Sequence, residues 1–205
     1  MRTFPVMWYL RGRRAVVVGA GSVACRKARA LREAEADVTV VTGGPACPLD
    51  GVQVIAEPYR TDHLTGAALV LACTDDASVN ARVAADARAA GTPVNVADMP
   101  EMCDFHLPAV ARDGDVVVAI GTGAAAPALA GHLRDVLREA LPAGVGDFAE
   151  ALSTLRAELK QRGVAPSDRM TALRELAGDD GLAAWRRGGS DALRARLDEL
   201  LAGGA

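Results

Sequence analysis

Residues 15–36 read AVVVGAGSVACRKARALREAEA. A short apolar run, Ala15–Val18, leads into Gly19-Ala20-Gly21-Ser22-Val23-Ala24 and then into a stretch of helix formers. The order is strand, glycine turn, helix. Gly19-x-Gly21-x-x-Ala24 fits G-x-G-x-x-G/A in the setting that gives that pattern its meaning. The first glycine permits a tight turn, the second lets backbone approach a pyrophosphate, and a small third residue lets helix and strand pack closely. The helix N-terminus offers free N–H groups to phosphates. Gly19, Gly21, Ser22, Val23 and Ala24 are therefore candidate contacts for a dinucleotide.

The usual acidic partner is missing. About twenty residues further on, at the end of the second strand, an Asp or Glu would hold the ribose 2′-hydroxyl. Here stand Val41, Thr42, Gly43 and Gly44, with no adjacent Arg to welcome a 2′-phosphate; the next in sequence is Arg60. Charge at this position does not choose between NAD and NADP. Thr42 remains as a hydroxyl candidate.

Outward from the loop, apolar runs at 38–41, 52–55, 67–73 and 93–96 alternate with helical patterns. Continuous apolar strands between helices predict an α/β fold, a Rossmann-like parallel sheet covered on both faces. Beyond residue 104 the pattern changes. Leu107–Ala111 and Asp115–Ile120, joined at Asp113-Gly114, read as a strand pair. A loop, Gly121-Thr122-Gly123, then opens a helix with Pro127 in its first turn. The remainder is helical, with breaks at Pro142–Gly144, Gly163–Pro166, Gly178–Gly181 and Gly188-Gly189. The expected organisation is a sheet domain over 1–104, a small β/α segment over 105–140 and a helical domain over 141–205.

Composition limits the function classes. The 205 residues carry a net charge of −3, and neither half of the chain is basic, which disfavours nucleic acid and anionic membrane as partners. Of the four cysteines (Cys25, Cys47, Cys73, Cys103), none forms a C-x-x-C pair, so no zinc site is expected and no residue is assigned to a metal. No apolar stretch approaches the ~18 residues of a spanning helix, and the N-terminal patch lacks a secretory signal core. A cytoplasmic protein is expected.

More than the loop is distinctive. Tyr9-Leu10-Arg11-Gly12-Arg13 precedes the first strand; ACTDDASVN (72–80), PVNVADMPEMCDFHLPAV (93–110) and IGTGAAAPALAGHLRDVL (120–137) follow in order. In this order and spacing they resemble the precorrin-2 dehydrogenase / sirohydrochlorin ferrochelatase family of siroheme synthesis. The most specific strings are GxGxVAxRK and NVxDxPxxCDFxxPA. The resemblance covers residues 4–140 well and the helical tail loosely.

The resemblance implies an NAD-binding Rossmann-like domain, a central dimerisation segment, a C-terminal helical domain and a homodimer. It implies NAD-dependent oxidation of precorrin-2, with Fe²⁺ insertion into the product in many members. The motif aspartate implicated in catalysis matches Asp98. That position follows the fifth strand, where ligands sit beyond the carboxyl ends of a parallel sheet. Thr74 and Asn95, at the ends of the fourth and fifth strands, are further cofactor candidates. Thr122, Gly123 and His106 are substrate candidates near the implied domain junction. Asp75 or Asp76 reads equally well as a helix cap, and Asp104 as structural support. Arg26 and Lys27 of the VAxRK string could meet cofactor or substrate carboxylates, with at least one of them solvated. His63 and His132 read as surface residues.

Two departures bear on the chemistry. Relatives often read TGGxSP where this chain has Thr122-Gly123-Ala124-Ala125-Ala126-Pro127, and often carry an acid where Met99 stands. The expected function is precorrin-2 dehydrogenation with at most weak ferrochelatase activity. Alternatives are a family-derived oxidoreductase acting on another acidic metabolite, and a non-catalytic NAD(H)-sensing module.

Overall fold

A computed structural model describes residues 3–45 and 49–203. Cys47 lies outside the described residues. The chain divides into two compact units. One comprises residues up to Leu107 with Gly123–Ala126; the other comprises Pro108–Thr122 and the chain from Pro127 onward.

The first unit is built on five parallel strands: β1 (Arg14–Val18), β2 (Asp37–Val41), β3 (Gln53–Ile55), β4 (Leu69–Ala72) and β5 (Val94–Val96). Their order in the sheet is β3-β2-β1-β4-β5. The chain goes outward from β1 to β3, then returns to the other side of β1 with β4. That reversal makes the gap between β1 and β4 the switch point, where a crevice opens beyond the carboxyl ends of the strands. The register is continuous across it: Val16 pairs with Thr39 on one side and Val70 on the other.

Strand side chains alternate between faces, and the two cores follow that period. Val17, Val38, Val40, Leu69 and Leu71 pack against Ala24, Ala28 and Leu31 of helix α1 (Ser22–Glu33). Val16, Val18, Val41, Val70 and Ala72 pack against Val83, Ala84 and Ala87 of helix α2 (Ala77–Ala89). The third position of the glycine fingerprint, Ala24, is completely buried. A larger side chain there would push α1 off the sheet.

The second unit begins with the antiparallel pair β6 (Ala109–Asp113) and β7 (Val116–Ile120), joined through Gly114-Asp115. Helix α3 (Pro127–Ala140) packs on this hairpin. Helices α4 (Val145–Gln161), α5 (Pro166–Leu176) and α6 (Asp179–Gly203) enclose a core of Phe148, Leu155, Leu159, Leu176, Leu193 and Leu197. The helical remainder expected from the sequence thus has a packed face. Helix α6 is kinked at Gly188-Gly189, where Gly189 has φ +60° and ψ −147°. At the hairpin tip, a Cβ on Gly146 would lie 2.5 Å from the Asp113 carbonyl oxygen, so the first turn of α4 rests directly on the turn.

Candidate functional site

A cleft of about 500 Å³ opens beyond the carboxyl ends of β1, β2 and β4. The glycine turn forms one wall with Gly19, Ala20 and Gly21. Thr42–Pro45 form the second, and Cys73-Thr74-Asp75 the third. Pro58, Tyr59, Val79 and Arg82 close the end toward α2.

The two fingerprint glycines do different work. Gly19 has φ +112°, and a Cβ there would stand 2.4 Å from the carbonyl oxygen of Cys73. It is required for the close passage of the turn across β4. Gly21 is the N-cap of α1, with ordinary extended dihedrals of φ −68° and ψ 177°. Among the described residues, nothing beyond its chain neighbours would lie within 4 Å of a Cβ there. No side chain caps α1 and its first turn holds no acid. A helix start with unclaimed N–H groups and an open approach is the cradle a pyrophosphate needs. The residues present therefore fit a dinucleotide.

Thr42 is 8% exposed. Its hydroxyl accepts the Gly44 N–H at 3.1 Å, which folds the chain after β2 into a tight turn against the cleft. Thr74 is tied to the buried Asn80: its N–H and hydroxyl both donate to Asn80 Oδ1, and the Asn80 amide donates to the Thr74 carbonyl. Asp76 is the N-cap of α2, accepting from the N–H groups of Ser78 and Val79. Those bonds, with the Ser78 hydroxyl the largest contributor, hold its carboxyl below the usual range. Asp75 is left exposed on the cleft wall.

Asn95 stands apart from the cleft lining. Its Oδ1 accepts from Lys27 Nζ at 2.8 Å, and its Nδ2 donates to the Phe105 carbonyl at 2.9 Å. Lys27 thereby reaches from α1 to β5. It also lies beside Cys73, whose thiol burial pushes up in pKa while Lys27 pulls it down and Asp98 adds to the rise. Arg26 of the same string is exposed.

Asp98 lies exposed in the turn after β5, with φ +59°. Asp and Asn tolerate this left-handed conformation better than other non-glycine residues. Both ends of its loop are fastened. Asp104 accepts the Val94 N–H in its carboxylate and donates its own N–H to the Val94 carbonyl, while Arg88 pairs with it from α2. The Cys103 sulfur accepts the Val96 N–H at 3.2 Å. His106 is half-buried in the first unit. Gly123 belongs to that unit and Thr122 to the other. Gly123 and Ala124 both have φ +63°.

Among the described residues, no group of three or more His, Cys, Asp or Glu side chains could hold a metal ion, and no helix is long and apolar enough to cross a membrane. His63, read from sequence as a surface residue, is buried at 5% exposure. Its Nδ1 accepts the Arg60 N–H and its Nε2 meets Glu57, so the ring completes a tight turn.

A family model described as "Putative NAD(P)-binding" (NAD_binding_7) matches residues 6–109, just over half of the chain. The chain belongs to this NAD(P)-binding family. A siroheme synthase of Methylobacillus flagellatus is 38% identical over 168 residues, covering 79% of this chain and 36% of that protein. One of Nitrosomonas eutropha is 37% identical over 168 residues, covering 78% and 35%. The chain therefore spans about a third of the length of the curated relatives it matches. The solved structure of SirC, a precorrin-2 dehydrogenase, shares the fold with a TM-score of 0.76 at 22% identity, covering 97% of this chain and 98% of that one. The resemblance carried by the sequence motifs is borne out by these matches.

Pro58, Tyr59, Val79 and Arg82 line the cleft but are not among the candidates that the sequence offers. The next cation along the chain after β2, Arg60, pairs instead with Glu57 and Asp62. Arg82 comes from α2, forty positions further along the chain than Thr42. One signal for it existed. Val79 and Arg82 are one turn apart at the start of the helix that follows β4, and that helix start borders the crevice.

Proposed function

We propose that this chain oxidises precorrin-2 to sirohydrochlorin with NAD as acceptor, Asp98 serving as the base. The placement of Asp98 carries the reading. It lies on a loop fastened at both ends, beyond the carboxyl end of β5, with its carboxylate exposed. The names of the siroheme synthase relatives and of SirC support the substrate class.

Bound NAD would supply hydride acceptance. The chain's own contributions are separate from that chemistry. The first turn of α1 holds phosphate through backbone N–H groups, with Gly21 leaving room. Gly19, Ser22, Val23, Ala24, Thr42 and Thr74 shape or approach the dinucleotide path. Asn95 acts from beneath by holding Lys27 and Phe105. Oxidation removes a hydride and a proton from the substrate; the proton goes to the Asp98 carboxylate, which must come within hydrogen-bond reach of it. Thr122, Gly123 and His106 are assigned to substrate.

Fe²⁺ insertion is weak or absent in this reading. Metal insertion requires removal of two pyrrole protons and polar groups to strip the ion of water. Met99 packs against the apolar core cluster, and Ala126 has no hydroxyl, so Asp98 is left with few helpers.

We assign residues 105–140 to dimerisation. Leu129, Leu133, Val136 and Leu137 recur at helical spacing on α3 and are 38–50% exposed. An apolar stripe of this kind belongs under a partner, here a second copy of the chain.

The deciding experiment is anaerobic incubation with precorrin-2 and NAD⁺. Appearance of the sirohydrochlorin spectrum with stoichiometric NADH is expected. Cofactor binding without turnover would favour a sensing module, and turnover of another acidic metabolite would move the substrate assignment.

A further inference from the structure

We infer that Arg82 and Tyr59 form the wall that receives the adenine of the dinucleotide, with the planar Arg82 guanidinium as the stacking surface; the inference rests on the cofactor reading above. The phosphate cradle at Gly21 fixes the middle of the cleft. The Cys73–Asp75 wall leads toward β5 and Asp98. The remaining end, lined by Thr42–Pro45, Pro58, Tyr59, Val79 and Arg82, is therefore left for the adenosine half.

The chemistry of that end suits a flat heteroaromatic base. Its side chains are mainly apolar, with two prolines and a valine. Arg82 is the exception, and it is held. Its guanidinium carbon lies 5.0 Å from the centre of the Tyr59 ring, and one terminal nitrogen donates to the Tyr59 carbonyl at 2.6 Å. Tyr59 in turn is 6% exposed, with its hydroxyl donating to Asp86 at 2.9 Å. Asp86 also accepts from Thr61, so the support is itself fixed.

Among the described residues no carboxylate lies within ion-pair distance of Arg82, in contrast to Arg60 and Arg88. Arg82 is nevertheless exposed at the cleft. A guanidinium fixed at one edge, with no counter-ion and a planar face, stacks on a purine at low entropic cost. Lysine has the charge and the stem without the plane.

Calorimetric titration of NAD⁺, NADP⁺ and ADP-ribose into wild type, Arg82→Met and Arg82→Lys tests this, with melting curves as a fold check. Both variants are expected to bind all three ligands more weakly, by about five- to tenfold, as loss of a cation–π or stacking contact implies. Should Arg82→Met fail to fold, the Arg82→Lys comparison carries the same expectation. Unchanged affinities overturn the inference. A loss confined to NADP⁺ overturns it too, because Arg82 would then be reading the 2′-phosphate. Normal affinity in Arg82→Lys with loss in Arg82→Met would leave charge alone as the cause and also overturn it. If wild type binds none of the three ligands, the cofactor reading itself falls, and this inference with it.

Discussion

Lys27 of α1 and Asn95 of β5 meet although 68 positions separate them: the ammonium donates to the amide oxygen at 2.8 Å. The same amide donates to the Phe105 carbonyl. One buried side chain therefore joins the helix that starts at the glycine turn to the far end of the Asp98 loop. Asn95→Ala should lower stability by about 1–3 kcal/mol, since it leaves the Phe105 carbonyl and the Lys27 ammonium without this partner. Denaturant titration checks this; a loss below about 0.5 kcal/mol would mean the network contributes little.

The two fingerprint glycines should separate cleanly. Gly19→Ala should damage folding, because the backbone has φ +112° and the new methyl meets the Cys73 carbonyl. Gly21→Val should fold normally, since its dihedrals are extended and its Cβ faces open cleft. It should nevertheless lose NAD⁺ binding, because the branched side chain fills the phosphate path. Circular dichroism and calorimetry on the two variants decide. A folded Gly21→Val protein with wild-type affinity would make the loop a structural turn only.

Asp98→Asn isolates the carboxylate. Asparagine accepts the left-handed backbone that Asp98 adopts, so the loop should keep its shape. Dehydrogenation should fall by about 10²-fold or more, the usual loss for a general base, with NAD⁺ affinity preserved. Stopped-flow detection of NADH gives the rate. Activity within threefold of wild type would remove Asp98 from the mechanism.

Acid should weaken the start of α2. The Asp76 carboxyl is held below its ordinary value of 3.8 by the Ser78 hydroxyl and by two backbone N–H groups. A depressed folded-state pKa gives stability that is complete above the unfolded value and disappears as pH falls through the folded one. The advantage of wild type over Asp76→Ala should thus be full at pH 7 and shrink progressively below pH 3.8. Urea midpoints at several pH values measure it; a pH-independent difference would mean that the cap is not ionised.

Charge on the α3 stripe should break the proposed dimer. Leu133→Asp with Leu137→Asp should yield a folded monomer where wild type gives a dimer in light scattering at micromolar concentration. A monomeric wild type would refute the assignment of residues 105–140.

Most of the first unit was legible because its signals are local. Val16, Val17 and Val18 are fully or almost fully buried between helices on both faces, and burial on both faces turns a strand into an unbroken apolar run. Gly19 and Gly21 announce a turn by lacking Cβ atoms. Asp76 announces a cap by preceding a helical pattern. The helix breaks at Gly163 and Gly188-Gly189 were legible for the same reason. Arg82 and His63 were not: Tyr59 reaches Arg82 only through the fold, and the local turn that sets Arg60 and Glu57 on the His63 ring has no distinctive sequence pattern. Nothing near Arg82 in sequence shows that Tyr59 will hold it, and nothing around His63 shows that Glu57 will close over its ring. Asn95 was legible as a strand-end polar residue, but whether its amide points outward or binds Lys27 depends on the width of the gap between α1 and β5. Ala124 is a different case. Its φ of +63° suits the glycine that relatives often place there, so the departure noted in the sequence falls on a backbone position that disfavours it.

The seating of Gly146 against the Asp113–Gly114 turn has a practical consequence for anyone modifying this molecule. Hairpin tips are ordinarily the first places chosen for epitope tags, fluorophores or inserted domains, because they tolerate extra chain. Here a helix rests on one side of the tip, with the Gly146 N–H donating to the Asp113 carboxylate at 3.2 Å. An insertion between Gly114 and Asp115 would lift α4 from its seat and disturb the packing of Phe148 beneath it. Tags placed there should cost soluble yield, whereas the exposed turn at Arg162-Gly163, where among the described residues nothing beyond the chain neighbours lies within 4 Å of a Cβ built on Gly163, is less constrained.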